Sequence, residues 1–287
     1  MSSLDGPDGP DSSASGRVDR RPLHVLYADD GEDNRFLIES YFRGSIHRVD
    51  VVANGGLAWE RFQTTRYDLV VMDVHMPVVD GLTATRKMRD WEVSQGLKET
   101  PIGALTGDTR AGSRDRCRSA GCSFQLTKPI SKEALLAAVE RYAGPRVDTP
   151  TTPTNTPTAM SARSAPAAHA VEKGEATQAA SGPPGIVVAV DRELAVLMPR
   201  YIDSRRADAV ALLEAVAVDD FDKVWSIGHN MMGSAASYGL PFVGEMGGAL
   251  VRAAEARDRD SVGRIARELA AYVERLDVRT EEPLVVR

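Results

Sequence analysis

The chain has 287 residues, with 41 Asp and Glu against 35 Lys and Arg, for a net charge of −6 at neutral pH. At 43% hydrophobic and 26% charged residues the composition is that of a globular protein, and the length favours two modest domains with connecting chain. Fibrous and wholly disordered classes are excluded, and no chain-wide basic field exists to neutralise nucleic-acid phosphates, so the expected partner is a protein.

Residues 1–21 are rich in Ser, Gly, Pro and Asp and are expected to be a disordered N-terminal segment. They lack the apolar centre of a signal peptide, and no run of about 18 apolar residues occurs anywhere, so the chain reads as cytoplasmic with no membrane span. Cys117 and Cys122 are too few for a disulfide framework or a four-ligand zinc site and are expected to be reduced thiols.

From 22 to 145, short apolar runs alternate with amphipathic stretches. LHVLYA precedes a helix from Glu32, VDVVA a helix through Trp59, and DLVVMDV a helix from Leu82. PIGALT then precedes a helix through Cys117, and SFQLTKP a helix from Lys132 to Tyr142. Such alternation predicts an α/β domain: a parallel sheet covered by helices on both faces, with its site at the carboxyl ends of the strands. Those ends carry Asp29 and Asp30, then Asp73, Thr106 and Lys128 with Pro129. Three crowded carboxylates repel unless a cation joins them, and hard oxygen donors suit Mg²⁺ or, as an alternative, Mn²⁺. Thr106 and Lys128 would offer a hydroxyl and a positive charge to phosphoryl oxygens.

The motifs YADDGEDNR, MDVHMPVVDG, ALTGD and LTKP, in this order, resemble the receiver domain of two-component response regulators. The resemblance implies a flavodoxin-like five-stranded fold in which Asp73 accepts phosphoryl. It also implies that Asp29, Asp30, Asp73 and the His75 backbone carbonyl hold Mg²⁺, that Thr106 and Lys128 bind the phosphoryl group, and that Lys128–Pro129 is cis. Alternation along a strand would turn the His75 side chain away from the aspartates. Receivers commonly carry Tyr or Phe three residues before the lysine, where this chain has Gln125, so the usual aromatic switch is missing.

Residues 146–188 are dominated by Pro, Thr, Ser and Ala and are expected to be a disordered linker. About 40 residues of such chain span roughly 35 Å, enough for two domains to meet. From 189 to 278 the apolar residues follow a helical period, as at Leu194, Leu197, Met198, Tyr201 and Ile202, with breaks at DDFD, SYGLP and ARDRD. These signals predict an all-α antiparallel four-helix bundle, followed by a tail at 279–287.

On its second helix, small residues from Gly233 to Ser237 follow His229. A helical glycine costs about 1 kcal/mol and suggests close backbone approach. The segment FDKVWSIGHNMMGSAASYG resembles the histidine-containing phosphotransfer (HPt) domain, whose hallmark is HxxKGS. The resemblance implies that His229 carries phosphoryl and Gly233 gives access, while Met232 stands where the family has lysine. Trp59, Trp91 and Trp225 read as packing residues.

The two resemblances together imply a phosphorelay protein that takes phosphoryl on Asp73 and exchanges it through His229 with this or another receiver. It would act as a phosphoryl carrier rather than a turnover enzyme. Its partners would be an upstream histidine kinase or phosphohistidine donor and a downstream receiver, with an internal receiver–HPt contact as a further possibility. A second reading makes the bundle a docking module that does not transfer. No Gly-rich nucleotide site supports a kinase, and no basic recognition helix supports a transcription factor.

Overall fold

The computed structural model describes residues 21–107, 111–143 and 185–280. Most of the segments read as N-terminal disorder, linker and tail lie outside them.

The first half winds β1 (His24–Ala28), α1 (Glu32–Phe42), β2 (Arg48–Val52), α2 (Gly55–Thr64), β3 (Leu69–Asp73), α3 (Gly81–Ser94), β4 (Ile102–Thr106), α4 (Ala111–Ser119), β5 (Phe124–Thr127) and α5 (Lys132–Ala143). The strands form one sheet in the order β2-β1-β3-β4-β5, and every pairing is parallel. This is the flavodoxin-like doubly wound order. Successive residues feed opposite faces: Val25, Tyr27, Leu69 and Val71 join one core, whereas Leu26, Ala28, Val70 and Met72 join the other. All five residues of β3 are buried, as expected of a central strand covered on both sides. Asp73 pairs with Leu105 and Thr106 with Thr127, so the ends of β3, β4 and β5 fall level. Trp59 and Trp91 pack edge to face, 5.9 Å apart, as packing residues do.

The glycine of MPVVDG has a physical reason. A Cβ on Gly81 would sit 1.9 Å from the Asp73 carbonyl oxygen, so only glycine lets α3 start against the end of β3. Asp80 caps that helix, its carboxylate accepting from the Thr83 N–H at 2.9 Å.

The second half contains β6 (Ile186–Val190), short α6 (Arg192–Ala195), α7 (Met198–Ala217), α8 (Phe221–Ser234), a 3-10 turn (Ala235–Tyr238), α9 (Pro241–Glu255), α10 (Arg259–Val273) and β7 (Leu276–Thr280). The four long helices share a core built on Tyr201, Leu212, Val224, Met231, Leu250 and Leu269. The expected breaks hold: Asp220 and Asp258 cap α8 and α10, and Gly239 ends the 3-10 turn in the left-handed region at φ 71°.

One reading needs correction. Ile186–Val190, begun inside the segment taken as linker to 188, pairs in parallel with Leu276–Thr280, which runs into the segment taken as tail from 279. Each is too short to show an alternation by itself, and IVVAV looked like linker because Pro, Gly and Ala surround it. The close helix–helix contact is made by other glycines than Gly233. A Cβ there would meet Lys128 Cδ at 3.5 Å, an ordinary contact, whereas at Gly228 it would fall 2.8 Å from the Gly247 carbonyl and at Gly247 2.6 Å from the Gly228 carbonyl. Gly228 and Gly247 are what allow α8 and α9 to touch.

Candidate functional site

The level strand ends bring Asp29, Asp30, Asp73, Thr106 and Lys128 to one edge of the sheet. Asp29, Asp73 and Thr106 are buried, and Lys128 Nζ lies 2.8 Å from Asp29 Oδ2 and 2.7 Å from Asp73 Oδ2. The Lys128–Pro129 peptide bond is cis, as the sequence suggested. Tyr27 and Asn34 donate to Asp29 at 3.1 and 3.0 Å, and the Gly31 N–H donates at 2.8 Å. Burial works against the Asp29 charge, but the Lys128 ammonium and these donors hold its pKa below the ordinary carboxylate value. Asp73 has fewer donors: burial first, then the Asp29 charge, push it up to about 7 against the pull of Lys128. Burial and the Asp29 charge likewise raise Asp30 to about 6. Asp29 and Asp73 share the Lys128 ammonium, and one oxygen from each of Asp29, Asp30 and Asp73 lies within 4.8 Å of the others. Asp30 Oδ1 is buried with no hydrogen-bond partner. A divalent cation of oxygen preference fits both observations.

The helical region covers this edge. His229, on α8, is 8% exposed, and its ring stacks on Trp225 at 4.8 Å with 7° between planes. The His229 and His75 rings meet edge to face at 5.6 Å. One nitrogen from each imidazole and one Asp73 carboxylate oxygen fall within 4.8 Å of one another. His229 Nε2 is buried without a partner. Burial, then the Lys128 and His75 charges, lower its pKa to about 4, so the ring is neutral at pH 7.

The contact continues along α1. Arg205 of α7 pairs with Asp33 at 2.7 Å, with side chains 4% and 8% exposed. The Tyr238 hydroxyl donates to the Asp33 carbonyl at 3.1 Å, and the Asn230 amide reaches Asp30 at 3.5 Å. Leu37 of α1 is counted in the core of the helical region, with Phe36 and Tyr41 packed beside it. Exposed pairs frame the seam, Arg200 with Glu32 and Lys132 with Glu193.

All the sequence-predicted groups therefore converge, with one side chain turned otherwise than expected. The His75 side chain faces Asp73 instead of turning away, because residues two apart in extended chain share a face: the alternation that turns Val74 the other way brings His75 back. Sequence reasoning missed Asp33, Arg205 and Asn230, and took Trp225 for a packing residue although it forms a wall of the His229 site. Asp33 and Asn34 stand inside YADDGEDNR, which gave a signal; Arg205, on a different helix from His229, gave none. Gln125 lies 3.5 Å from the Ser113 hydroxyl, while Phe124 stacks on Tyr142 at 3.8 Å.

A family model described as the response regulator receiver domain matches residues 25–140. Sensor histidine kinase GacS of Pseudomonas protegens is 36% identical over 135 residues, covering 47% of this chain and 14% of that protein. Hybrid signal transduction histidine kinase M of Dictyostelium discoideum is 35% identical over 119 residues, covering 41% of this chain and 5% of that protein. The chain thus spans a small fraction of the relatives it matches. Among solved structures, the receiver domain of a sensor histidine kinase from Pseudomonas aeruginosa, described with a magnesium ion in its active-site cleft, is 34% identical with a TM-score of 0.39, covering 43% of this chain and 98% of that one. The matched span begins in β1 and ends in α5, enclosing the acidic edge and its lysine, and it makes residues 25–140 a response regulator receiver domain of two-component signalling.

Proposed function

We propose that the chain is a cytoplasmic phosphorelay carrier in which Asp73 accepts phosphoryl and exchanges it with His229 of the same chain, the helical region acting as an HPt bundle. The observation that carries this reading is the approach of a His229 ring nitrogen to within 4.8 Å of an Asp73 carboxylate oxygen. The space between them suits a phosphoryl group in flight through a loose transition state.

In the exchange the Asp73 oxygen–phosphorus bond breaks as the lone pair of neutral His229 Nε2 forms the nitrogen–phosphorus bond, and the Asp73 carboxylate is left charged. Lys128 holds that carboxylate and an equatorial phosphoryl oxygen, and Thr106 donates to another. Trp225 fixes the imidazole plane by stacking, and the closed seam excludes the water that would hydrolyse the acyl phosphate. Asp29, Asp30, Asp73 and the His75 carbonyl would hold Mg²⁺, with Mn²⁺ as the alternative. When bound, the cation neutralises charge on the transferring group. The external donor is a histidine kinase or another phosphohistidine protein, and a further receiver can take phosphoryl from His229 when the bundle leaves Asp73.

The test is site mapping by mass after incubation with acetyl phosphate and Mg²⁺, using the full chain, Asp73→Asn and His229→Gln, with acid and base lability to separate phosphohistidine from acyl phosphate. Label on His229 that requires Asp73 is expected. Label confined to Asp73 overturns the exchange and leaves the docking-module reading, which Met232 favours: it stands at the family's lysine position and is 41% exposed, offering no cation. In an active bundle Met232→Lys speeds transfer; in a docking module it changes nothing.

A further inference from the structure

The His75 imidazole has no part in the exchange described above, yet it points into the same space as His229. Two imidazole nitrogens and one carboxylate oxygen, from Asp73, His75 and His229, lie within 4.8 Å of one another. His229 is more than nine-tenths buried, and its Nε2 has no hydrogen-bond partner, an arrangement that costs free energy unless a ligand takes the lone pair. Trp225 covers one face of that ring and His75 meets it edge to face, so aromatic rings wall the site.

This donor set differs in chemistry from the all-oxygen cluster beside it. Asp29, Asp30 and Asp73 suit a hard cation, while two imidazoles with one carboxylate suit a borderline one such as Zn²⁺, with a coordination position left open. The electrostatic surroundings also favour a cation, since three clustered carboxylates surround the Lys128 ammonium, which pairs with Asp29 and Asp73.

We propose that Asp73, His75 and His229 form a binding site for a borderline divalent cation of the zinc class, bridging the receiver and the helical region. Its two sides come from different domains, so the bound cation clamps them together. It also takes the His229 lone pair and an Asp73 oxygen, and so blocks phosphoryl exchange while it is bound. That consequence rests on the proposed relay; cation binding itself does not.

The experiment titrates the full chain with Zn²⁺ alone by calorimetry, and with Co²⁺ as an optical probe whose visible bands report nitrogen ligation. His75→Ala and His229→Ala are each expected to weaken Zn²⁺ by at least about tenfold and to lose the Co²⁺ bands, with the circular-dichroism spectrum of wild type. That spectrum shows that the variants have folded. Zn²⁺ affinity equal to wild type in either folded variant overturns the site, as do Co²⁺ bands that survive both substitutions. The two proposals fail separately. A chain that labels His229 but binds Zn²⁺ without His75 keeps the relay and loses the clamp; one that binds Zn²⁺ through both histidines but never labels His229 keeps the clamp and loses the relay.

Discussion

The receiver edge and the face of α8 that covers it are built on opposite principles. On the receiver side four charged groups are packed at the ends of three strands, held by short ion pairs and backbone donors, and the position of each is fixed by sheet register. On the helical side stands one neutral imidazole, stacked on Trp225, with small residues around it and its Nε2 unpartnered. The first site has an excess of charge and the second an excess of lone pair. The receiver edge thus concentrates negative charge, while burial keeps the imidazole uncharged.

The sharpest way to break this comparison is to remove one reactive atom at a time. Asp73→Asn is expected to lower phosphorylation by acetyl phosphate at least about a thousandfold and to remove label from His229 as well, given that the exchange is almost wholly positioning and electrostatics at that oxygen. His229→Gln should leave Asp73 labelled. Intact-mass kinetics reads both, and equal losses in the two variants would contradict the division of roles.

The next largest effect is expected at Lys128. Lys128→Met leaves the buried Asp29 and Asp73 carboxylates without their ammonium, and removing one member of a buried pair costs about 3–5 kcal/mol. Denaturant unfolding followed in the receiver should show a loss of that size without Mg²⁺ and a smaller loss with it. No change would mean that the charge excess attributed to this edge is not there.

Much of this contrast was legible in the sequence, and the reason lies in how each half encodes position. A parallel strand delivers its last residue to a known edge, so Asp30, Asp73, Thr106 and Lys128 were placed by counting strands. The His229 helix was readable from the period of its apolar residues, but a helix face does not state what covers it. Arg205 is separated from Asp33 by 172 positions, and nothing local to either marks the pair. β6 and β7 failed for a similar reason, because a two-stranded parallel pair joins segments at the two ends of the helical region. His75 was misread because the period of two, which sends Val74 to the opposite face, returns the next residue to the face of Asp73.

Arg205 sharpens the comparison at the seam itself. Arg205→Met leaves Asp33 buried and unpaired, which should weaken docking by about 3 kcal/mol. The separated state gains as a result: hydrogen exchange in α1 rises, and label reaches His229 more slowly, while acetyl phosphate labels Asp73 at least as fast as in wild type. Unchanged exchange in α1 would contradict the seam described here.

The glycines run from a loss as large as that at Arg205 down to a small gain, and they set the two halves side by side once more. Gly81→Ala puts a methyl group against the Asp73 carbonyl oxygen, a backbone atom that can yield only by moving the end of β3. A loss of about 3 kcal/mol is expected, together with slower phosphorylation of Asp73, because overpacking there displaces the acceptor. Gly228→Ala drives a methyl group into the Gly247 carbonyl and should cost about 1–3 kcal/mol by separating α8 from α9. Gly233→Ala meets Lys128 only at van der Waals distance, so the helix gains up to about 1 kcal/mol in propensity and transfer proceeds. Thermal melts of the three variants rank them in that order. A Gly233→Ala chain as damaged as Gly228→Ala would place the closest approach at Gly233, against the receiver's Lys128, and not between α8 and α9.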